Sequence, residues 1–277
     1  MTEPSLHPNG RGLAVTRPGL LALVCVAAAI AALLGAGRAQ AQYVPYFPTP
    51  EAMVDRMLKV AEVTESDYLI DLGCGDGRIP VTAAQRYRAR GLGVDFDAQR
   101  IVEAEENARK AGVTGKVMFR KEDLFDTDIS QASVLTLYLS LKLNIKLRPR
   151  ILKAMKPGTR VLSNEFNMGD WLPDKTERVD GRVFFLWIVP AKVAGNWRVS
   201  SEAAEGPRSF EVALQQQFQE LSGAAVIDGK AVPVRDGLVT GERVAFVLDM
   251  GPDRLVRFEG RLVDGHLEGK GWKGARK

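Results

Sequence analysis

The chain has 277 residues, 45% hydrophobic and 26% charged, with a formal net charge of +4; disordered and collagen-like architectures are excluded. Arg11, Arg17 and Arg38 stand against Glu3 alone before residue 42, so the remainder is nearly balanced in charge and gives nucleic-acid binding no support. Histidine occurs only at His7 and His266 and cysteine only at Cys25 and Cys74, which disfavours histidine-dependent triads and zinc sites of His and Cys.

Residues 19–36 carry no charge, follow Arg11 and Arg17, and precede the small-x-small sequence Ala39-Gln40-Ala41. That layout predicts a secretory signal peptide over 1–41, with an uncleaved N-terminal membrane anchor as the second reading. Beyond it, Thr49 and Pro50 open a helix-like stripe through Met53, Val54, Met57, Leu58 and Ala61 that runs to Val63, with Thr49 as N-cap. A strand from Tyr68 to Leu72, a glycine-rich turn and a helix from Ile79 to Arg88 follow. Strands are then expected at Gly91–Asp95, Val117–Arg120, Val134–Leu139 and Arg160–Glu165, with helices at Ala98–Ala111 and Lys142–Met155 between them. The dipeptide Asp180-Gly181 separates two last strands in this region, Lys175–Val179 and Val183–Val189, as a tight hairpin. The expected architecture is therefore α/β, with five parallel strands, crossover helices and a terminal antiparallel hairpin over residues 42–193.

From residue 195 the crossovers cease. Alternation at Val244, Phe246 and Leu248 and again at Val256, Phe258 and Leu262, with turns at Asp228-Gly229, Asp236-Gly237 and Asp264-Gly265, predicts a small all-β domain over 195–277, an antiparallel sheet or barrel that includes a Gln-rich strand near Gln215. His266 is expected in an exposed turn there.

The chemistry concentrates at the end of the first strand, in Asp71-Leu72-Gly73-Cys74-Gly75-Asp76-Gly77-Arg78. Alternate glycines let the backbone approach a small molecule closely and adopt positive φ. Asp71 is placed to face a cation and would repel a pyrophosphate at the following helix N-terminus. Asp95 ends the second strand, where a carboxylate can accept from two ribose hydroxyls, and Asp123 follows the third, within reach of an adenine amino group. Cys74 reads as a small residue under the ligand, since no base stands near it to make it a nucleophile.

These residues resemble a class I S-adenosylmethionine-dependent methyltransferase, whose Rossmann-like seven-stranded sheet ends in an antiparallel hairpin. The segment from Val44 to Pro50, Gly75-Asp76-Gly77-Arg78-Ile79, Ser163-Asn164-Glu165-Phe166 and Gly169-Asp170-Trp171 are similar to bacterial relatives of the mitochondrial lysine methyltransferases that modify the ATP synthase c subunit and the adenine nucleotide carrier. The resemblance implies S-adenosyl-L-methionine as cofactor, held by Thr49, Asp71, Gly73, Cys74, Gly75, Asp76, Gly77, Asp95, Phe96, Glu122, Asp123 and Leu124, and no metal. It implies a methyl acceptor, such as a lysine of a small membrane protein, beyond the fourth strand, where Tyr138 and Glu165 are candidates to position it, with Asn164 and Trp171 as weaker lining candidates. The β domain lies outside the resemblance. A signal peptide implies the secretory pathway or periplasm; if residues 19–36 are not cleaved, an inner-membrane anchor with membrane contact through them is expected, on either side of the membrane. Arg11 and Arg17 favour a domain placed beyond the membrane, away from cytosolic cofactor, so a non-catalytic extracytoplasmic binding module is the alternative reading.

Overall fold

The computed structural model describes residues 1–2, 47–202, 207–251 and 254–277. The apolar segment 19–36 lies outside them; among the described residues no helix is long and apolar enough to cross a membrane. Strands β1 (Tyr68–Leu72), β2 (Arg90–Asp95), β3 (Val117–Lys121), β4 (Val134–Leu137), β5 (Arg160–Asn164), β6 (Lys175–Val179) and β7 (Arg182–Ile188) form one sheet ordered β3-β2-β1-β4-β5-β7-β6. Helices α1 (Glu51–Val60), α2 (Arg78–Tyr87), α3 (Ala98–Lys110) and α4 (Leu141–Ala154) flank it. The first five strands are mutually parallel. The hairpin joins by its second arm: β7 inserts between β5 and β6, antiparallel to both. Both turn residues, Asp180 (φ 49°) and Gly181 (φ 80°), take the left-handed backbone that suits a two-residue hairpin.

Apolar side chains on both sheet faces explain the layering. Ile70, Leu72, Leu135 and Val161 pack toward α4, with Leu143, Leu147 and Ile151 in the same core. Leu69, Val134, Leu162 and Phe184 pack with the stripe of α1. Helix α1 is shorter than expected, and Thr49 is not its cap: Pro50 holds the cap position, with no side-chain cap bond, and the Thr49 hydroxyl faces Asn164 instead. Because β1 lies between β2 and β4, the chain leaves the sheet in opposite directions on either side of it, which opens a crevice at the strands' C-terminal ends.

The remaining strands, β8 (Gly195–Ser201), β9 (Ser209–Gln217), β10 (Glu220–Ile227), β11 (Lys230–Thr240), β12 (Arg243–Asp249), β13 (Leu255–Val263), β14 (His266–Gly269) and β15 (Trp272–Arg276), close an antiparallel barrel. Its inside is filled by Trp197, Phe210, Phe246, Phe258 and Trp272 with branched aliphatics between them; Phe246 stacks on Phe258 with ring centroids 5.1 Å apart. Asp228-Gly229 and Asp264-Gly265 are hairpin turns with positive φ at both residues. Asp236-Gly237 is not a turn but a break in register within β11: a side chain at Gly237 would meet the Leu221 carbonyl at 2.4 Å, so glycine admits a bulge where strand β10 approaches.

Candidate functional site

The glycine turn after β1 is anchored to the end of β2. Gly73 N–H and Cys74 N–H both donate to the Val94 carbonyl at 2.9 Å, and Gly75 N–H donates to Asp95 Oδ2 at 3.0 Å. Gly73, Gly75 and Gly77 all have positive φ. Close approach matters as much: a Cβ at Gly77 would lie 2.6 Å from Phe119 Cε1 and 2.8 Å from Ala104 Cβ, and one at Gly93 would lie 2.6 Å from Phe119 Cδ1 and 2.8 Å from Cys74 Sγ. Phe119 of β3 therefore fills the space beneath the turn, a contact that alternation in the sequence did not reveal. Helix α2 starts directly after Gly77, so its N-terminal N–H groups add positive potential at the crevice.

Three carboxylates converge here. Asp71 is buried, and its Oδ1 accepts from Thr136 Oγ1 at 2.7 Å. Burial pushes its carboxyl up to about 7, the Thr136 hydroxyl opposes this, and the charges of Asp95 and Asp76 reinforce it. Asp95 is half-buried, with Oδ1 accepting from Asp97 N–H at 3.0 Å. Asp76 forms a fork with Arg78, whose Nη2 reaches Oδ2 at 2.6 Å. Arg78 Nη1 also donates to the Thr49 carbonyl at 2.9 Å, which ties the segment ahead of α1 across the glycine turn. Cys74 is buried, and burial followed by the Asp71 and Asp95 charges pushes its thiol far up, consistent with a filler and not a nucleophile.

Farther along the rim, Phe96 is 47% exposed and Glu122 N–H donates to the Asp95 carbonyl. Asp123 is exposed and closes its own turn, accepting from Phe125 N–H at 2.8 Å. Leu124 is half-buried against the core behind it. The expected ligand set from Asp71 to Leu124 is thus gathered along the ends of β1, β2 and β3, with Asp123 outermost and already occupied on one oxygen.

On the other side of the crevice, Tyr138 follows β4 and Glu165 follows β5. The rings of Tyr138 and Phe166 are 6.4 Å apart, and Glu165 Oε1 accepts from Arg182 Nη1 at 3.2 Å. Burial raises the Tyr138 phenol above its ordinary value, and the adjacent Glu165 charge adds to this while Arg182 opposes it. Asn164, wholly buried, donates to Thr49 Oγ1 at 3.3 Å. Among the described residues its own Oδ1 has no hydrogen-bond partner, nor has that of buried Asn144, whose Nδ2 holds Ser163 Oγ and the Phe166 carbonyl, each at 2.9 Å. Trp171, expected to line the substrate site, does not: it is 0% exposed, and its ring stacks on Phe218 of the barrel at 6.0 Å. Thr136, Phe119 and Asn144 escape a reading of the sequence because their roles come from strands and helices remote along the chain, as does the bond from Arg78, itself in the glycine motif, to the Thr49 carbonyl.

The residues fit a bound sulfonium nucleoside: the positive-φ glycines present bare backbone at the end of β1, and the acids Asp71 and Asp95 stand beside that turn, Asp95 at the rim on the Gly75 N–H.

A family model described as ANTKMT methyltransferase domain matches residues 71–175. A protein-lysine N-methyltransferase of Saccharolobus islandicus is 45% identical over 152 residues, which is 53% of this chain and 94% of that protein. The crystal structure of an RNA methyltransferase from Salinibacter ruber in complex with S-adenosyl-L-homocysteine superposes with TM-score 0.52 at 47% identity, covering 53% of this chain and 96% of that one. The lysine N-methyltransferase of Homo sapiens named for the c subunit of ATP synthase is 24% identical over 47% of this chain and 55% of its own length.

Proposed function

This chain belongs to the class I methyltransferase family that carries the ANTKMT-type domain, and from that premise we propose that it is an S-adenosylmethionine-dependent methyltransferase acting on a lysine ε-amine of a protein. The observation that carries the acceptor class is the grouping of Tyr138, Phe166 and Glu165 beyond β4 and β5. The two relatives of nearly full coverage bear different acceptor names, protein lysine and RNA. Glu165 is the acid of the Tyr138 group, with Arg182 paired to it, so the lysine reading leans on the protein-lysine relative, and the near balance of charge beyond residue 41 supplies no basic track for RNA.

When bound, S-adenosyl-L-methionine supplies a methyl group activated on a positive sulfur. Gly73, Gly75 and the start of α2 would hold its methionine portion, Asp95 its ribose, and Phe96 with Glu122 to Leu124 its adenine. The other work falls to positioning, because methyl transfer needs the amine neutral and in line with the methyl carbon. Lysine, with a pKa near 10.4 in water, must lose a proton first, and the partly dry surface of Tyr138 and Phe166 favours the neutral amine. Tyr138 itself stays protonated at neutral pH, so it donates a hydrogen bond and is not the base; Glu165 orients the incoming ammonium until its proton leaves to water.

Nearness of a membrane would follow if residues 19–36 act as an anchor, and a relative named for the ATP synthase c subunit supports a small membrane protein as the natural acceptor. The test is transfer of labelled methyl from S-adenosylmethionine to poly-L-lysine and, in parallel, to RNA homopolymers by the full chain. Label on poly-L-lysine with none on RNA is expected; label on RNA alone would overturn the lysine assignment.

A further inference from the structure

The barrel grips the very loop that carries the acceptor side. Its β9–β10 turn, Phe218-Gln219, packs against the core of the methyltransferase sheet, with Phe218 partly buried there. Phe218 takes φ +54° as the first residue of this two-residue hairpin, an uncommon value for an aromatic residue. Its ring stacks on Trp171 and lies 5.1 Å beneath the Arg148 guanidinium. Gln219, itself buried, donates from Nε2 to the Leu172 carbonyl at 2.8 Å.

From that contact, hydrogen bonds from α4 and one ring contact lead back toward the site. Arg148 Nη1 donates to the Met168 carbonyl at 2.7 Å. Asn144, one helical turn away on α4, holds the Phe166 carbonyl, and Phe166 faces Tyr138. The segment between β5 and β6 is thus fastened at its far end by the barrel and at its near end by α4. The relatives of nearly full coverage match only 53% of this chain, and the family model ends at residue 175, before the barrel begins.

We propose that the Phe218-Gln219 turn is a positioning element for the methyl acceptor: the barrel acts in cis to hold the Glu165–Leu172 segment, and with it the acceptor face, in one arrangement. This rests on the reading of Tyr138 and Glu165 as the acceptor side. The Arg148 stacking and the Gln219 bond give the turn specific contacts to α4 and to the Glu165–Leu172 segment, more than a tethered domain requires.

The experiment compares the full chain with Phe218→Ala, Phe218→Trp and Gln219→Ala. Amide hydrogen exchange across residues 166–172 should speed at least tenfold in Phe218→Ala and return toward the parent in Phe218→Trp, which keeps an aromatic face. The Tyr138 phenol, followed by NMR of ring-labelled tyrosine assigned with Tyr138→Phe, should titrate lower in Phe218→Ala as its surroundings loosen. KM for poly-L-lysine should rise at least fivefold while calorimetric affinity for S-adenosyl-L-homocysteine stays within twofold. Gln219→Ala, which keeps the ring, should show the same pattern more weakly and serves if Phe218→Ala does not fold. Unchanged exchange and unchanged Tyr138 titration in folded variants would overturn the inference. Failure of the parent to methylate poly-L-lysine would count against the acceptor assignment alone, since the exchange and titration readings need no acceptor.

Discussion

Thr136 on β4 gives its hydroxyl to Asp71 on β1 at 2.7 Å, in a spot closed to solvent. This bond opposes the burial that otherwise drives the Asp71 proton on. Thr136→Val should therefore cost about 1–3 kcal/mol in urea unfolding at pH 8, where the carboxylate is left charged and underpartnered. An unchanged midpoint would show that water or another group already serves Asp71.

Asp71 also sets a pH dependence of stability. Its folded value is near 7 against 3.8 for the ordinary group, so between those values the folded chain holds more protons than the unfolded one. Stability from this residue falls as pH rises from about 4 to 7 and is flat above. Asp71→Asn should remove that slope and raise stability at pH 8 by on the order of 2–4 kcal/mol, while weakening cofactor binding if the carboxylate faces the ligand's ammonium. Urea midpoints from pH 4.5 to 8.5 check it; a parallel slope in the variant would contradict the assignment.

Asp67, at the opposite end of β1, behaves with the reverse sign. Burial works against its charge, but the Ser133 hydroxyl, Arg160 and Thr64 N–H outweigh that and hold it below the usual carboxylate range. Its contribution is present above pH 4 and lost as pH falls below. Arg160 also donates to the Ala61 carbonyl at 2.9 Å, so Arg160→Leu should cost roughly 3 kcal/mol by stranding a buried acid and should shift acid unfolding to higher pH, as circular dichroism would show.

The crowding around Phe119 gives a steric prediction. Gly93 has an ordinary strand backbone, so Gly93→Ala harms the fold only through contact with the Phe119 ring and Cys74 Sγ; about 1–3 kcal/mol of destabilisation is expected. Phe119→Leu should be mildly destabilising alone and should recover part of the Gly93→Ala loss in a double-mutant cycle. Additive losses would mean that something other than the ring fills the space.

Much of this was legible from residue order. The turn at Asp71 to Gly77 and the acid at Asp95 announced themselves because spacing within one β-turn-α unit is local. Thr49 and Trp171 misled for the opposite reason. Thr49 sits where a cap should, yet Asn164, over a hundred residues on, takes its hydroxyl; Trp171 follows the site, yet a barrel turn removes it from solvent. Periodicity showed that Asp180-Gly181 makes a hairpin, but not that its second strand is the one that pairs with β5. Likewise Asp236-Gly237 carries a turn's composition and forms a bulge, since only the approach of Leu221 separates the two outcomes.

Tyr138 and Glu165 should govern acceptor handling and leave the cofactor side alone. Tyr138→Phe and Glu165→Gln are expected to lower kcat/KM for poly-L-lysine by about tenfold or more, ~1.4 kcal/mol in the transition state, with S-adenosyl-L-homocysteine affinity unchanged. Steady-state kinetics beside calorimetry distinguishes this from a general loss of structure.

The most direct measurement is titration calorimetry of S-adenosyl-L-methionine into the full chain and into Asp95→Ala. Saturable binding near one equivalent, weakened at least tenfold by the substitution, or about 1.4 kcal/mol, is the predicted result. Absence of heat with the parent chain, or equal affinity in both, would contradict a cofactor seated between the glycine turn and the end of β2.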